Sequence, residues 1–200
     1  MKVTTDTTMA SSEMRTVIER EGLSLAIRRG RVRGIGRVIL RPDDPGLIQG
    51  VSVASLSLFA DDRGYFLELA RLRQGLADHL GVAAETQVSG TLSYPGTIKA
   101  LHFHTRQTDL WGPVAGMFQV CLYDLRVASS TFGLVNTFYV GHLRPWQLRI
   151  PPGVAHGYKV VGESPGVLVY VTDRFYDAED EGRIAHNDED INYDWDLQHK

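Results

Sequence analysis

Two histidines stand one residue apart in the stretch "HFHTRQTD" at residues 102–109, which ends in an aspartate. Successive side chains of a β-strand point to opposite faces, so His102 and His104 are predicted to project on the same side. A third histidine, His156, follows the rigid turn "IPPG" at 150–153. Imidazole and carboxylate groups bind metals and also transfer protons, so both chemistries are open beside a purely structural role.

The spacing around these residues resembles the two motifs of the cupin superfamily. It reads G-x5-H-x-H-x4-D-x6-G from Gly96 to Gly116, followed by P-x-G-x2-H at 151–156. An aspartate, Asp109, stands where cupins usually have glutamate. One alternative is therefore a divalent metal such as Fe, Mn, Ni or Zn, because three imidazoles and one carboxylate suit these ions. The candidate ligands are His102, His104, Asp109 and His156.

The elements that must position these residues are mostly β-strands. From about residue 50 onward, short segments rich in β-branched and aromatic residues alternate with Gly, Pro, Asn, Asp or Ser clusters. Only "RLRQGLADHLG" at 71–81 has a helical pattern, with leucines recurring on one face. This organisation predicts an all-β cupin or jelly-roll β-barrel with one or two short helices.

Length and composition predict an ordinary single-domain globular protein. The chain has 200 residues, 43% of them apolar, and a net charge of −3, which argues against a nucleic-acid binder. No apolar run is long enough to span a bilayer, and the N-terminus lacks the apolar centre of a signal peptide, so a cytoplasmic protein is expected. We expect a disordered tail at 1–13, an arginine-rich arm or extra strands at 14–49, and a cupin domain at 50–200.

From about residue 50 to residue 195 the sequence also resembles a narrower family, the dTDP-4-dehydrorhamnose 3,5-epimerases, which are themselves cupins. The order and spacing of several linked motifs are similar to those of the family. These motifs are "DDRGYFLE" (61–68), "TQVSGTLSYPGTIKALHFH" (86–104), "YDLRVASSTFG" (123–133), "LRIPPGVAHGY" (148–158), "VYVTDRFYDAEDEG" (169–182) and "NDEDINYDW" (187–195).

The resemblance implies a role for each matching residue. His102 falls on the family's catalytic base, which removes a proton beside the sugar's keto group, and Tyr170 on the acid that returns a proton from the other side. The family uses no metal and typically forms homodimers in which N-terminal strands cross over, so residues 14–50 are expected to contact a second subunit. Expected contacts to a nucleotide-sugar substrate are Arg63, Glu68, Gln87, Lys99, His104, His156 and Tyr176.

The sequence departs from the family at three points. The family usually has glutamine where His104 stands and lysine where Asp109 stands, and its downstream aspartate, which orients the base, falls beyond the end of this chain. In one alternative, Asp109 replaces that aspartate as the orienter of His102 in a metal-free epimerase. In the other, the four candidate ligands of the cupin motifs bind a metal, and the protein is a metal-dependent isomerase or oxygenase. A non-catalytic sugar-nucleotide-binding cupin is the third possibility.

Structural roles compete with several of these assignments. Arg63 can pair locally with neighbouring aspartates in a turn, and Tyr170, which lies in an alternating segment, can be a buried structural tyrosine. Lys99 is expected on the face opposite His102 if the strand is regular. The acidic run "DAEDEG" at 177–182 is expected to form a solvated turn.

Overall fold

The computed structural model describes residues 12–20, 22–81 and 85–199, and no helix in these ranges is long and apolar enough to cross a membrane. The expected tail at 1–13 lies almost wholly outside the described residues. Regular structure in the described part of the chain is nearly all β. Its elements are β1 (Met14–Arg20), β2 (Leu23–Arg28), β3 (Arg37–Val38), β4 (Ser52–Ser55), β5 (Leu58–Asp61), β6 (Gly64–Leu67), a 3₁₀ turn (Gly75–Ala77), β7 (Gln87–Ser93), β8 (Ile98–His104), β9 (Asp109–Ala115), β10 (Met117–Asp124), β11 (Val135–Gly141), β12 (Trp146–Ile150), β13 (Val154–Val161), β14 (Gly166–Thr172) and β15 (Glu181–Arg183).

Two sheets form the body of the molecule and confirm the predicted all-β jelly-roll fold. One has six strands in the order β15-β8-β13-β10-β11-β3, and the other has five in the order β4-β12-β9-β14-β7. Neighbouring strands are antiparallel except β11 and β3. Between the sheets lies a core to which both contribute large apolar side chains, among them Trp111, Phe118, Phe138 and Leu148.

Strand β10 is buried on both faces, which explains why it reads as an almost continuous apolar run. Phe118 and Val120 point into the core between the sheets, whereas Cys121 and Tyr123 point into a second core on the outer face of the six-stranded sheet. Burial raises the pKa of the Cys121 thiol. Cys121 is therefore a small buried apolar residue.

The N-terminal arm covers this second core on its own chain. Leu25 and Ile27 of β2 are fully buried there, and β3 extends the six-stranded sheet. Arg15 pairs with Asp188 and Asp190 of the C-terminal segment. The apolar face of β2 therefore packs on its own chain, and the expected contact of residues 14–50 with a second subunit stays a prediction.

The helix predicted at 71–81 is reduced to the single 3₁₀ turn at Gly75–Ala77. Arg73 and Gly75 both have positive φ values, 69° and 56°, which an α-helix cannot accommodate. Leu80 is nevertheless buried against Leu110 of β9 and Val171 of β14. The leucine periodicity therefore indicated a packed segment correctly, but the segment is a series of turns.

Candidate active site

A cavity of about 250 Å³ opens between the two sheets at one end of the barrel. His102, His104, Asp109 and His156 all line it, which confirms that the two sequence motifs converge on one interior site. The six-stranded sheet contributes one wall and the five-stranded sheet the other. The lining residues are Gln87, Thr91, Lys99, His102, His104, Gln107, Asp109, Trp111, His156, Tyr158, Leu168, Tyr170, Thr172, Tyr176 and Glu181.

His102 is oriented by a carboxylate that the sequence interpretation missed. Its Nδ1 lies 3.0 Å from Oε1 of Glu181, and Arg183 donates to the same oxygen at 2.7 Å. The short strand β15 pairs with β8 and brings this carboxylate beside the ring. Asp109 is not the orienter of His102, because it bonds to other groups. The run "DAEDEG" is likewise not a solvated turn, since Glu181 points into the site.

The electrostatics of this pair suit a proton acceptor. Burial lowers the pKa of His102, and the Glu181 carboxylate opposes that effect. Burial also acts against ionisation of Glu181, but Arg183 and His102 together hold the pKa of that carboxyl below its usual value. A neutral His102 that donates Nδ1–H to an ionised Glu181 has its lone pair on Nε2, so Nε2 can accept a proton.

Lys99 lies on the same side of β8 as His102, contrary to the prediction for a regular strand. The pairing of β13 with β8 changes register between His156↔His102 and Tyr158↔Lys99. Two residues of β8 therefore oppose the single Gly157, and the alternation of side chains is reset. A Cβ on Gly157 would lie 2.3 Å from the Cβ of Ala100, so only glycine fits opposite this irregularity.

Tyr170 faces the cavity from β14, in the five-stranded sheet, where it pairs with Trp111 of β9. It is half-buried and also packs against the core between the sheets. His102 and Tyr170 thus stand on opposite walls of one cavity. This is the arrangement that proton removal on one face of a substrate and proton return on the other would require.

His104, Asp109 and His156 form a buried triad beside the His102–Glu181 pair. Asp109 Oδ2 lies 3.4 Å from His156 Nε2, and Asp109 Oδ1 lies 3.9 Å from His104 Nε2. Burial lowers the pKa of His104. Burial opposes ionisation of Asp109, but hydrogen bonding and charge interaction with His156 hold its pKa below the usual value. The triad therefore presents a carboxylate beside two imidazoles.

The turn between β8 and β9 that positions this triad depends on one buried carboxylate. Asp180 accepts hydrogen bonds from the backbone N–H groups of Thr105 and Gln107, at 3.0 Å each. The side chain of Gln107 in turn donates to Asp109 Oδ1 at 2.7 Å. Sequence reasoning missed Asp180 and Glu181 because their partners lie more than 70 residues away along the chain. It missed Gln107 because this residue lies in a tight turn, where residue types show no periodicity.

Arg63 and Glu68 do not line the cavity of their own chain. Arg63 lies in the β5–β6 turn and pairs with Asp61, as the local alternative predicted, and Glu68 pairs with Arg71. Gln87 lies at the cavity mouth, where its Oε1 accepts from the backbone N–H of Tyr176 at 3.0 Å. The nucleotide-contacting roles expected for these residues stay predictions.

Comparison with known proteins finds relatives that act in sugar epimerisation or in polysaccharide and glycan biosynthesis. A model of the dTDP-4-dehydrorhamnose 3,5-epimerase family matches residues 46–200. The spore coat polysaccharide biosynthesis protein SpsL of Bacillus subtilis (strain 168) is 46% identical over 154 residues, covering 76% of this chain and 99% of SpsL. The probable low-salt glycan biosynthesis epimerase Agl13 of Haloferax volcanii is 34% identical over 155 residues, covering 76% of this chain and 96% of Agl13.

Solved structures agree with this assignment. The dTDP-4-dehydrorhamnose 3,5-epimerase of Bacillus anthracis str. Ames, with TDP and PPi bound, matches with a TM-score of 0.63 and 28% identity, covering 75% of this chain and 87% of that one. The dTDP-6-deoxy-D-glucose-3,5-epimerase of Legionella pneumophila, in complex with dTDP-4-keto-L-rhamnose, matches with a TM-score of 0.63 and 25% identity, covering 75% and 80%. The cavity places a carboxylate-bonded histidine opposite a tyrosine, and the family model spans most of the sequence. The chain therefore belongs to the dTDP-4-dehydrorhamnose 3,5-epimerase family.

Proposed function

We propose that this protein epimerises a nucleotide-linked 4-keto-6-deoxysugar at carbon 3, carbon 5 or both. Membership of the family makes it an isomerase, and the cited relatives include epimerases whose structures hold a dTDP-sugar or TDP. The observation that carries the proposal is the His102–Glu181 pair, which faces Tyr170 from the opposite wall of one cavity. A non-catalytic binding protein would not need an oriented proton acceptor.

The proposed reaction moves one proton at each inverted carbon. His102 Nε2 removes the proton beside the C4 ketone, and the electron pair of the broken C–H bond forms an enolate. Tyr170 then donates its phenolic proton to the same carbon from the opposite face, which inverts the configuration. Proton exchange with solvent restores neutral His102 and the phenol, so no atom is gained or lost overall.

Lys99 is placed to help bind the substrate. Its Nζ donates to Thr91 Oγ1 at 2.7 Å on the cavity wall, and its positive charge suits a diphosphate. Gln87 and Tyr176 at the mouth are proposed to contact the nucleotide. Their backbone-to-side-chain hydrogen bond joins the edge strand β7 to the segment that follows β14, which fixes the rim of the cavity.

Deuterium exchange tests the proposed activity directly. In ²H₂O, the wild type should incorporate solvent deuterium into a dTDP-4-keto-6-deoxysugar, and His102→Ala should abolish this incorporation. Tyr170→Phe should reduce net inversion more than exchange, because proton removal survives while return from the far face is lost. Undiminished exchange in His102→Ala would contradict the proposed base, and the absence of exchange in the wild type would favour a binding function.

We also propose that the protein is a homodimer in which the β5–β6 hairpin contacts the second subunit. Phe59 and Phe66 on this hairpin are 62% and 63% exposed, and Arg63 lies between them, away from its own cavity. A second copy would cover these rings and could receive Arg63 at its substrate site. Sizing by light scattering should give twice the chain mass, and Phe59→Ser with Phe66→Ser should give a monomer. A monomeric wild type at micromolar concentration would refute the proposal.

A further inference from the structure

We propose that His104, Asp109 and His156 bind a divalent first-row transition-metal ion, at a position separate from the His102–Glu181 pair. One potential ligand atom from each of the three residues lies within 4.8 Å of the other two, and all three residues are buried. Binding of the ion is independent of the proposed epimerase function, but its role in the reaction rests on that function.

The distances favour ligands around a shared cation over direct ion pairs. A charge-assisted hydrogen bond between imidazole and carboxylate is about 2.7–2.9 Å long. The separations from Asp109 are instead 3.4 Å to His156 and 3.9 Å to His104. Two ligand atoms bound tetrahedrally at about 2.0–2.1 Å lie roughly 3.3–3.4 Å apart, so His156 Nε2 and Asp109 Oδ2 already have the required spacing. His104 Nε2 lies nearest to the other oxygen, Oδ1, and would have to move closer to complete the set.

Neighbouring groups hold two of the three ligands, His156 and Asp109, as ligands are held in metal sites. His156 Nδ1 lies 3.0 Å from the carbonyl oxygen of Val154 and donates to it, so loss of the Nε2 proton on metal binding would leave the Nε2 lone pair directed toward Asp109. The carboxylate of Asp109 is anchored at both oxygens, by Gln107 at 2.7 Å and by the indole N–H of Trp111 at 3.1 Å. Such hydrogen bonds to ligating carboxylates and imidazoles fix their orientation and raise their affinity for the ion.

The third ligand, His104, is held less completely than the other two. The amide nitrogen of Gln107 lies 3.2 Å from His104 Nε2 as well as 2.7 Å from Asp109 Oδ1. One donor therefore contacts both residues, which shows that acceptor atoms of His104 and Asp109 converge on one place. The other ring nitrogen, His104 Nδ1, is buried without a hydrogen-bond partner among the described residues, so hydrogen bonding leaves this ring free to adjust toward an ion.

The chemistry of these donors selects the kind of ion. Two imidazole nitrogens and one carboxylate suit Zn, Fe, Mn, Co or Ni, whereas Ca and Mg prefer oxygen ligands. The three residues supply fewer ligands than such ions accept, and they line the cavity, so positions remain for an oxygen from water or substrate. When bound, the ion would act as a Lewis acid that stabilises the negative charge of an enolate oxygen.

Metal stoichiometry tests the site without reference to activity. The untagged protein is stripped with a chelator, incubated with Co²⁺ or Zn²⁺ alone, desalted and analysed by elemental mass spectrometry. We expect one equivalent of ion per chain in the wild type and less than about a tenth of that in His104→Gln and Asp109→Asn. His79→Gln is the matched control, because His79 is exposed and lies outside the cavity; it should bind as the wild type does.

Folding and function are separated by two further measurements. Circular dichroism and thermal unfolding establish that each variant is folded, and visible absorption of wild-type protein loaded with Co²⁺ reports nitrogen and oxygen ligation directly. Failure of the wild type to retain an ion, or equal retention by folded His104→Gln and Asp109→Asn, would overturn the metal site. Full deuterium exchange in chelated protein would remove the ion from the reaction but leave the epimerase proposal intact. A bound ion in a wild type that shows no deuterium exchange would support the metal site and contradict the epimerase proposal.

Discussion

Replacing Glu181 by glutamine should slow proton abstraction without weakening substrate binding. The substitution keeps the size of the side chain but removes the charge that faces His102 Nδ1 at 3.0 Å. The neutral amide can no longer stabilise the imidazolium that forms when Nε2 accepts the substrate proton. Because this charge develops only as the proton moves, the loss should appear in kcat and leave KM nearly unchanged.

The size of the effect follows from the geometry of the pair. A hydrogen bond to a charged group contributes about 1.5–3 kcal/mol, and each ~1.4 kcal/mol of transition-state stabilisation is tenfold in rate. The side chain of Glu181 is only 12% exposed but that of His102 is 35% exposed, so solvent weakens the interaction. We therefore expect kcat for exchange to fall roughly 10- to 100-fold, toward the lower end of that range.

The assay is the rate of deuterium incorporation measured under single-turnover and steady-state conditions. Arg183→Gln is the control, since it removes a 73%-exposed partner of the same oxygen and keeps the carboxylate. It should change kcat by less than about threefold, because exposed ion pairs contribute little. A Glu181→Gln enzyme with wild-type kcat, or one in which only KM rises, would refute the orienting role.

Two further predictions concern the scaffold of the site. Gly157→Ala should lower the free energy of unfolding by about 1–3 kcal/mol and impair exchange, because the new Cβ would meet Ala100 on the strand that carries His102. Thermal unfolding and the deuterium-exchange assay check this prediction. An unchanged unfolding midpoint would contradict it. Asp124→Asn should destabilise the fold by about 3 kcal/mol, since the buried carboxylate is bonded to Arg126, and denaturant unfolding measures the loss. Burial opposes ionisation of Asp124, but Arg126 and nearby hydroxyls hold its pKa below the ordinary value. The ionised carboxylate therefore adds to the free energy of unfolding at neutral pH. This stabilisation is lost as the pH falls from about 4 through the lower pKa of the folded state. Urea titrations from pH 7 to pH 3 should show that the Asn variant loses less stability on acidification than the wild type; parallel curves would exclude this linkage.

The sequence by itself determined the fold class and the residues that meet at the candidate site. Strand periodicity places His102 and His104 on one face, and the fixed motif spacing brings Asp109 and His156 to the same end of the barrel. These features are local or depend on short, rigid turns, so the pattern of residue types records them. For the same reason the family resemblance, which rests on linked local motifs, was confirmed.

Only the tertiary structure decided which groups these residues contact. Glu181 reaches His102 from 79 residues away through a strand of three residues, which is too short to leave a periodic pattern. The side on which Lys99 lies depends on a register change opposite Gly157. The packing of the arm on its own chain could not be predicted, because burial of Leu25 depends on an apolar outer sheet face that strand alternation alone does not reveal. Pairing across long sequence distances is set by the packing of the whole chain, and no local segment encodes it.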